Sequence, residues 1–458
     1  MVEYTRNPDR RPRIVLVATA IILGVAAQGA VRLWRPVSLE ESAPLALKPA
    51  IAAPISAAES ATDEAIRFYC ARVQHDPLEA RSQTALAESY LQRVRETGNE
   101  DALLPALAAA RASLEAVPAA RNAGGLMALA HAEFANHAFA AARQRAQELI
   151  ELDPSKGEAH AILGDAALEL GDYEAAAAAF EKMKRLQPEN PGTETRLARH
   201  SIIRGKTAEA QSHFQRALTL LHEFHSPPNE TISWCLWQLG ETAFGAADYA
   251  LAESYQRQAL ATSPGYFRAL GSLGRVRAAR GDLAGGISFY EEAARVSPAI
   301  DYMAALGDLY TLAGRERDAA IRFDLVEQLG EHSRKIHGTP YDRKVALFLA
   351  DHDRKLEQAY ALARGEFEAG RHDVYGADAL AWTAWKSGHL AAAQTAIQEA
   401  LRLGTRDARF FYHAGRIAQG AGDQKNARVY LERALALSPM FDLGQSQAAR
   451  RALEKLPR

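Results

Sequence analysis

A chain of 458 residues is too long for one ordinary core, so it folds either as several globular domains or as one elongated array. Its apolar fraction of 48% is dominated by Ala and Leu, aromatics are only 8%, and β-branched residues thin out after the first thirty positions. That composition suits close-packed helices and excludes a strand-rich fold, while a formal charge of -2 without a basic stripe excludes a nucleic-acid-binding chain.

Residues 1–13 form a basic N-terminal region, with Arg6, Arg10, Arg11 and Arg13 against Glu3 and Asp9. An uncharged run over residues 14–31 follows, and Arg32, Trp34 and Arg35 close it. At about 1.5 Å per residue the run reaches about 27 Å, the short end of what crosses a bilayer core. It is expected to be a transmembrane anchor, with the Trp and Arg residues as an interface clamp, or else a cleavable signal peptide with small residues around Ala27. Positive charge is heavier before the run than after it, so the remainder is expected outside the cytoplasm. Arg far outnumbers Lys, which with the Ala content reads as a GC-rich bacterial coding bias. The expected location is therefore a bacterial inner membrane with the folded part in the periplasm or extracellular, the alternative being release to the periplasm after signal cleavage. Residues 36–61 carry four prolines and no helical period, as a Pro/Ala-rich linker does.

From residue 62 to 440 the sequence repeats at 34 residues. Gly171 and Gly205 are 34 apart, as are Pro154 and Pro188, Gly240 and Gly274, Pro264 and Pro298, and Gly388 and Gly422. Each unit reads as two amphipathic helices. In the unit near Gly157 the first helix carries Leu163 and Gly164, the turn is Gly171-Asp172-Tyr173, and the second carries Ala176, Phe180 and Met183 before Pro188. Small residues let the two backbones approach, large ones fill the space beside them, and Pro ends the second helix. Leu197, Ala198, Ala210 and Phe214 repeat the pattern, as do Leu239, Gly240, Ala252 and Ala259, then Leu273, Gly274, Tyr290 and Ala293, then Leu306, Gly307, Ala319 and Phe323. Leu380, Ala381, Ala393 and Ala400 form another unit, and Gly415, Ala427, Ala434 and Pro439 the last. About ten helix pairs are expected, irregular at residues 97–101, 222–231 and 330–360. Residues 441–458 read as a polar helix capping the last apolar face.

These residues resemble the tetratricopeptide repeat family. The resemblance implies an all-α, right-handed superhelical solenoid of antiparallel helix pairs behind the N-terminal transmembrane or signal segment, and a concave face lined by the first helix of each pair. On that register Arg199, Trp234, Trp237, Glu241, Phe244, Arg275, Asp308, Tyr375, Trp382, Trp385, Tyr412 and Arg416 are candidates for a partner-binding groove. The four tryptophans among them are the strongest, because Trp, Tyr and Arg dominate binding hot spots; the competing reading is that these rings pack against neighbouring repeats. Some family members grip a terminal carboxylate with an Asn and Lys clamp, but the corresponding positions hold Asp165, Arg199, Glu241, Arg275 and Asp308, so the resemblance stops short of that mode.

Cys70 and Cys235 lack a metal-ligand or disulfide pattern, and no HExxH, GxSxG or phosphate-binding glycine loop occurs. No cofactor, metal or catalytic residue is therefore expected. The function read from the sequence is a non-catalytic protein-interaction scaffold or adaptor, membrane-tethered and extracytoplasmic, that binds a peptide or protein in its groove. The alternative is a periplasmic accessory factor for metal or small-molecule handling, suggested by His222 and His225 in an inserted loop.

Overall fold

A computed structural model of the protein describes residues 57–337 and 343–457. The basic region, the anchor or signal segment and nearly all of the linker lie outside the described residues. Among those described are 22 α-helices and no strand, and none of the helices is long and apolar enough to cross a membrane.

Helix α1 (Ala57–His75) precedes ten helix pairs. They are α2 (Ala80–Thr97) with α3 (Leu103–Ala116), α4 (Ala123–Ala135) with α5 (Phe139–Leu152), α6 (Gly157–Glu169) with α7 (Tyr173–Leu186), α8 (Pro191–Ile203) with α9 (Thr207–His222), and α10 (Asn229–Gly245) with α11 (Tyr249–Thr262). There follow α12 (Phe267–Ala279) with α13 (Leu283–Val296), α14 (Ile300–Leu312) with α15 (Glu316–His337), α16 (Arg343–Asp351) with α17 (Leu356–Glu368), α18 (Val374–Lys386) with α19 (Leu390–Leu401), and α20 (Ala408–Gly420) with α21 (Gln424–Leu437). Helix α22 (Leu443–Lys455) ends the array.

The sequence makes each hairpin with one recurring device. A residue in the left-handed region turns the chain, Gly171 at φ +79° and Gly205 at φ +70°, and this conformation suits a residue without Cβ. The next residue is often Asp, whose carboxylate caps the second helix: Asp172 accepts from Ala175 N at 3.1 Å and Asp282 from Gly285 N at 2.9 Å. Across the hairpin, the small residue of the first helix faces the large residue sixteen positions on. A Cβ on Gly164 would lie 2.3 Å from the Phe180 ring, one on Gly274 2.5 Å from Tyr290, and one on Gly307 2.2 Å from Phe323. These pairs are symmetric about the turn, which is what antiparallel helices require. The same glycines and rings supply the period visible in the sequence.

The chain also meets itself one superhelical turn later. Tyr173 Oη accepts from Val374 N at 2.8 Å, Thr405 Oγ1 donates to Ile203 O, and Tyr249 Oη accepts from Met440 N at 3.2 Å. Separations of 201 and 202 residues are about six repeat periods, so about six helix pairs complete one turn. Hairpin turns on the first superhelical turn thus dock on the loops that precede first helices on the second. This edge-to-edge seam closes the concave face into a lumen.

Two of the irregular stretches take part in the seam. Around residues 97–101, Gly98 turns at φ +67° and a short 3-10 segment, Glu100–Ala102, follows. Helix α15, much longer than its counterparts, reaches back to this segment: His332 Nε2 lies 3.0 Å from Asp101 Oδ1, and Ile336 packs in the core of Ile66, Leu86 and Leu91. The excess length between residues 330 and 360 therefore extends a helix and ties the two superhelical turns together.

Candidate functional site

From the third pair to the tenth, the residue that follows the small position of the first helix builds a stripe along the inner wall: Asp165, Arg199, Glu241, Arg275, Asp308, Asp351, Trp382 and Arg416. A regular stack brings each one beside its equivalent in the next repeat. Their chemistry alternates accordingly, with Asp165 3.5 Å from Arg199, Glu241 2.5 Å from Arg275, and Asp351 Oδ1 accepting from Trp382 Nε1 at 2.7 Å. Arg199 also reaches Glu169 at 2.9 Å. Burial opposes charge on Arg199 and Arg275, and the acids beside them, Glu169 with Asp165 and Glu241, outweigh it, holding both guanidiniums above their ordinary value. These rungs are matched within the protein, so they stiffen the wall and leave recognition to the side chains between them.

The tryptophans expected to lead the groove divide into two clusters. In α10, Trp234 and Trp237 have ring centroids 6.4 Å apart; Trp234 lies edge-on to Phe214, while Trp237 donates to Ser272 Oγ at 2.9 Å beneath the Arg268 guanidinium. Phe244 is buried against Tyr249, with Arg275 4.0 Å above its ring. In α18 and α20, Trp382 is stacked between Trp385 at 4.9 Å and His413 at 4.1 Å, and Arg416 covers Trp385 and bonds Tyr412 Oη at 3.2 Å. Trp382 and Tyr412 are each 3% exposed, so those two rings pack repeat on repeat. Their amphipathic surface is used up in joining α16, α18 and α20.

Five of the candidates come together instead on a cavity of about 780 Å3 in the lumen. Trp237, Glu241, Phe244 and Arg275 wall it from the first superhelical turn and Tyr375 from the second. Lys206 and Glu209, at the start of α9, and Thr405, Arg406, Asp407 and Arg409, around the start of α20, add polar groups to the lining. Sequence reasoning missed this last group. Arg409 has the helix register of Tyr375 and Arg268 and was open to the repeat period; Lys206 and Arg406 belong to a turn and a loop that only the seam brings together.

Lys206 is held by Glu209 at 3.0 Å, whereas among the described residues neither Arg406 nor Arg409 makes an ion pair. Burial opposes charge on Arg409, but Asp407, Asp442, Asp351 and Asp378 surround it and hold its guanidinium above the usual value. The chamber thus offers the rings of Trp237, Phe244 and Tyr375 and, in Arg406 and Arg409, two guanidiniums that make no ion pair among the described residues. Rings with adjacent guanidiniums suit an extended peptide, whose amide planes and carbonyls they can cover and bond.

His222 Nδ1 bonds Leu218 O at 2.6 Å, and among the described residues no group of three or more His, Cys, Asp or Glu side chains is placed to hold a metal ion.

Asp351 offers a pH test of the wall. Water reaches its carboxyl, yet the protein around the lumen crowds it, and this desolvation, with Asp442 adding to it, pushes the group up to about 6. The unfolded value is about 3.9. The group therefore contributes stability that is fully present below the unfolded value and lost as pH rises through about 6. Asp351→Asn keeps an oxygen for Trp382 Nε1 and Gln445 Nε2. It is expected to raise the melting temperature near pH 7.5 and to flatten its change between about pH 4 and 6; a variant that melts no higher at neutral pH would contradict this origin.

The architecture defines a class first: an all-helical repeat solenoid that encloses a lumen. A tetratricopeptide repeat model matches residues 192–265, and a second matches residues 127–191, 238–300 and 379–439. The chain belongs to the tetratricopeptide repeat family, and it is a protein-interaction scaffold. No curated protein matches it in sequence closely enough to count as a relative. Similar solved structures include PilW, a widely conserved type IV pilus biogenesis factor, at 16% identity over 44% of this chain and 91% of that one, with a TM-score of 0.38. Two structures of MamA are also similar, at 22% and 21% identity over 38% and 39% of this chain and 97% and 94% of theirs, with TM-scores of 0.31 and 0.30.

Proposed function

We propose that the protein is a membrane-tethered, extracytoplasmic scaffold that grips an extended peptide segment of a partner in its lumen. One observation carries the reading of the site: a chamber of about 780 Å3 whose rings and guanidiniums come from both superhelical turns, at a size typical of ligand pockets. The tether and the location rest on the basic region and the apolar run of residues 14–31.

A photo-crosslinking residue at Gln238, on the chamber wall, should capture one defined partner in living cells, and the same residue at exposed Lys184 on α7 should not. Capture only from Lys184, or equal capture from both, rejects the chamber. An alkaline phosphatase fused after Arg458 should be active and a green fluorescent protein dark, and the opposite pattern rejects the location. Sequencing the mature N-terminus separates a retained anchor from a cleaved signal.

A further inference from the structure

The acidic rungs of the inner wall are matched by a basic side chain with one exception. Asp165 has Arg196 at 2.8 Å, Glu241 has Arg275, and Asp308 has His352 at 2.8 Å. Asp351 has only neutral donors, Trp382 Nε1 at 2.7 Å and Gln445 Nε2 at 2.9 Å, and both fall on the same oxygen, Oδ1. Water reaches this carboxyl, yet among the described residues no cation pairs with it. Gln445 ties it to a second carboxylate, since its backbone N–H donates to Asp442 Oδ1 at 2.8 Å, and Asp442 makes no ion pair either among the described residues. The other end of the Gln445 amide, Oε1, is buried and has no donor. Nearby, the His413 ring stacks on Trp382 at 4.1 Å with Nδ1 on Asp378 at 2.9 Å; it is 2% exposed, and its Nε2 has no partner. A carboxylate without a cation beside an amide oxygen without a donor leaves room for N–H groups that carry positive charge.

The field at this place has the matching sign. Burial works against the charge on Arg409, yet Asp407, Asp442, Asp351 and Asp378 outweigh it; burial raises the Asp351 carboxyl, and Asp442 adds to the rise. The lumen is therefore electronegative here in spite of its guanidiniums. Phe441 and Arg409 line the chamber, and Asp442 follows Phe441 in the chain, so these carboxylates stand at the chamber's edge. Among the described residues no group of three His, Cys, Asp or Glu gathers to hold a metal ion, which leaves a side-chain cation as the fit. We propose that the segment taken into the lumen carries a lysine or arginine whose side chain docks on Asp351, with Gln445 Oε1 as a second acceptor. The empty protein bears an unmatched carboxylate that costs it stability, as a residue serving binding rather than folding does. This assignment deepens the scaffold reading and rests on it.

Selection of a displayed library of random peptides on the purified full chain tests it. The retained pool is expected to be enriched in Lys or Arg at one position. A selected peptide should bind about tenfold more weakly once that residue is replaced by glutamine, and Asp351→Asn should cost the parent peptide about as much while leaving the glutamine peptide unchanged. The variant keeps an oxygen for Trp382 Nε1 and Gln445 Nε2, so the site holds its shape without its charge. A pool enriched in Asp or Glu, which Arg406 and Arg409 would favour, a pool without charge bias, or a basic preference that survives Asp351→Asn would overturn the docking and leave the scaffold reading standing. A library that yields no enriched pool removes both.

Discussion

Arg371→Ala is expected to lower the free energy of unfolding by about 3–5 kcal/mol, the range for removing one partner of a buried ionic network. Arg371 is 5% exposed and bridges the seam, with Glu169 at 2.7 Å on the first superhelical turn and Glu366 at 3.2 Å on the second. Its guanidinium also lies 4.6 Å from the centre of the Phe139 ring. Glu366 and Asp373 are 1% and 4% exposed. Arg343 contacts both acids at 2.7 Å, so the variant removes one of the guanidiniums that balance two buried carboxylates. Urea unfolding followed by helix content measures the loss, and a change below about 1 kcal/mol would mean that water replaces the guanidinium at little cost. Arg371→Lys should recover only part of it, because an ammonium restores the charge without the planar fork that reaches several acceptors.

Gly164→Val is expected to cost about 1–3 kcal/mol through overpacking, although valine is the better helix former. The first added carbon already falls 2.3 Å from the Phe180 ring, and Phe180 is itself buried, 1% exposed. Gly365 is the matched control. It sits inside α17 with nothing within 4 Å of the position a Cβ would take, so Gly365→Ala should stabilise by about 0.5–1 kcal/mol. Opposite signs for the two glycines would confirm that helix approach, rather than chain flexibility, selects glycine at position 164. The same sign for both would refute it.

The helix pairs were legible because their cause is local. Gly164 and Phe180, or Gly274 and Tyr290, stand sixteen residues apart, and the turn between them has its own residues. Seven of the eight stripe residues from Asp165 to Arg416 were legible for the same reason, being fixed by register within one helix; Asp351 was not, because residues 330–360 fall out of the 34-residue phase. What lay hidden was contact over about 200 residues: nothing near Thr405 or Arg406 in sequence announces Ile203 or Lys206. Ring burial was equally hidden, since Trp237 and Trp382 both lie on first helices, and the contacts they make, Ser272 and Arg268 for one, Asp351 and His413 for the other, come from neighbouring repeats.

Ile336 has a bearing on how the protein is made. It completes the apolar cluster of Ile66, Leu86 and Leu91, while His332 on the same helix pairs with a residue 231 positions earlier. At ribosomal speeds of about 5–20 residues per second, that separation takes about 10–50 s to synthesise. Throughout that interval the earliest hairpin exposes greasy surface which its own neighbours cannot cover, and a holding factor that masks it during synthesis would be needed most at the beginning of the chain.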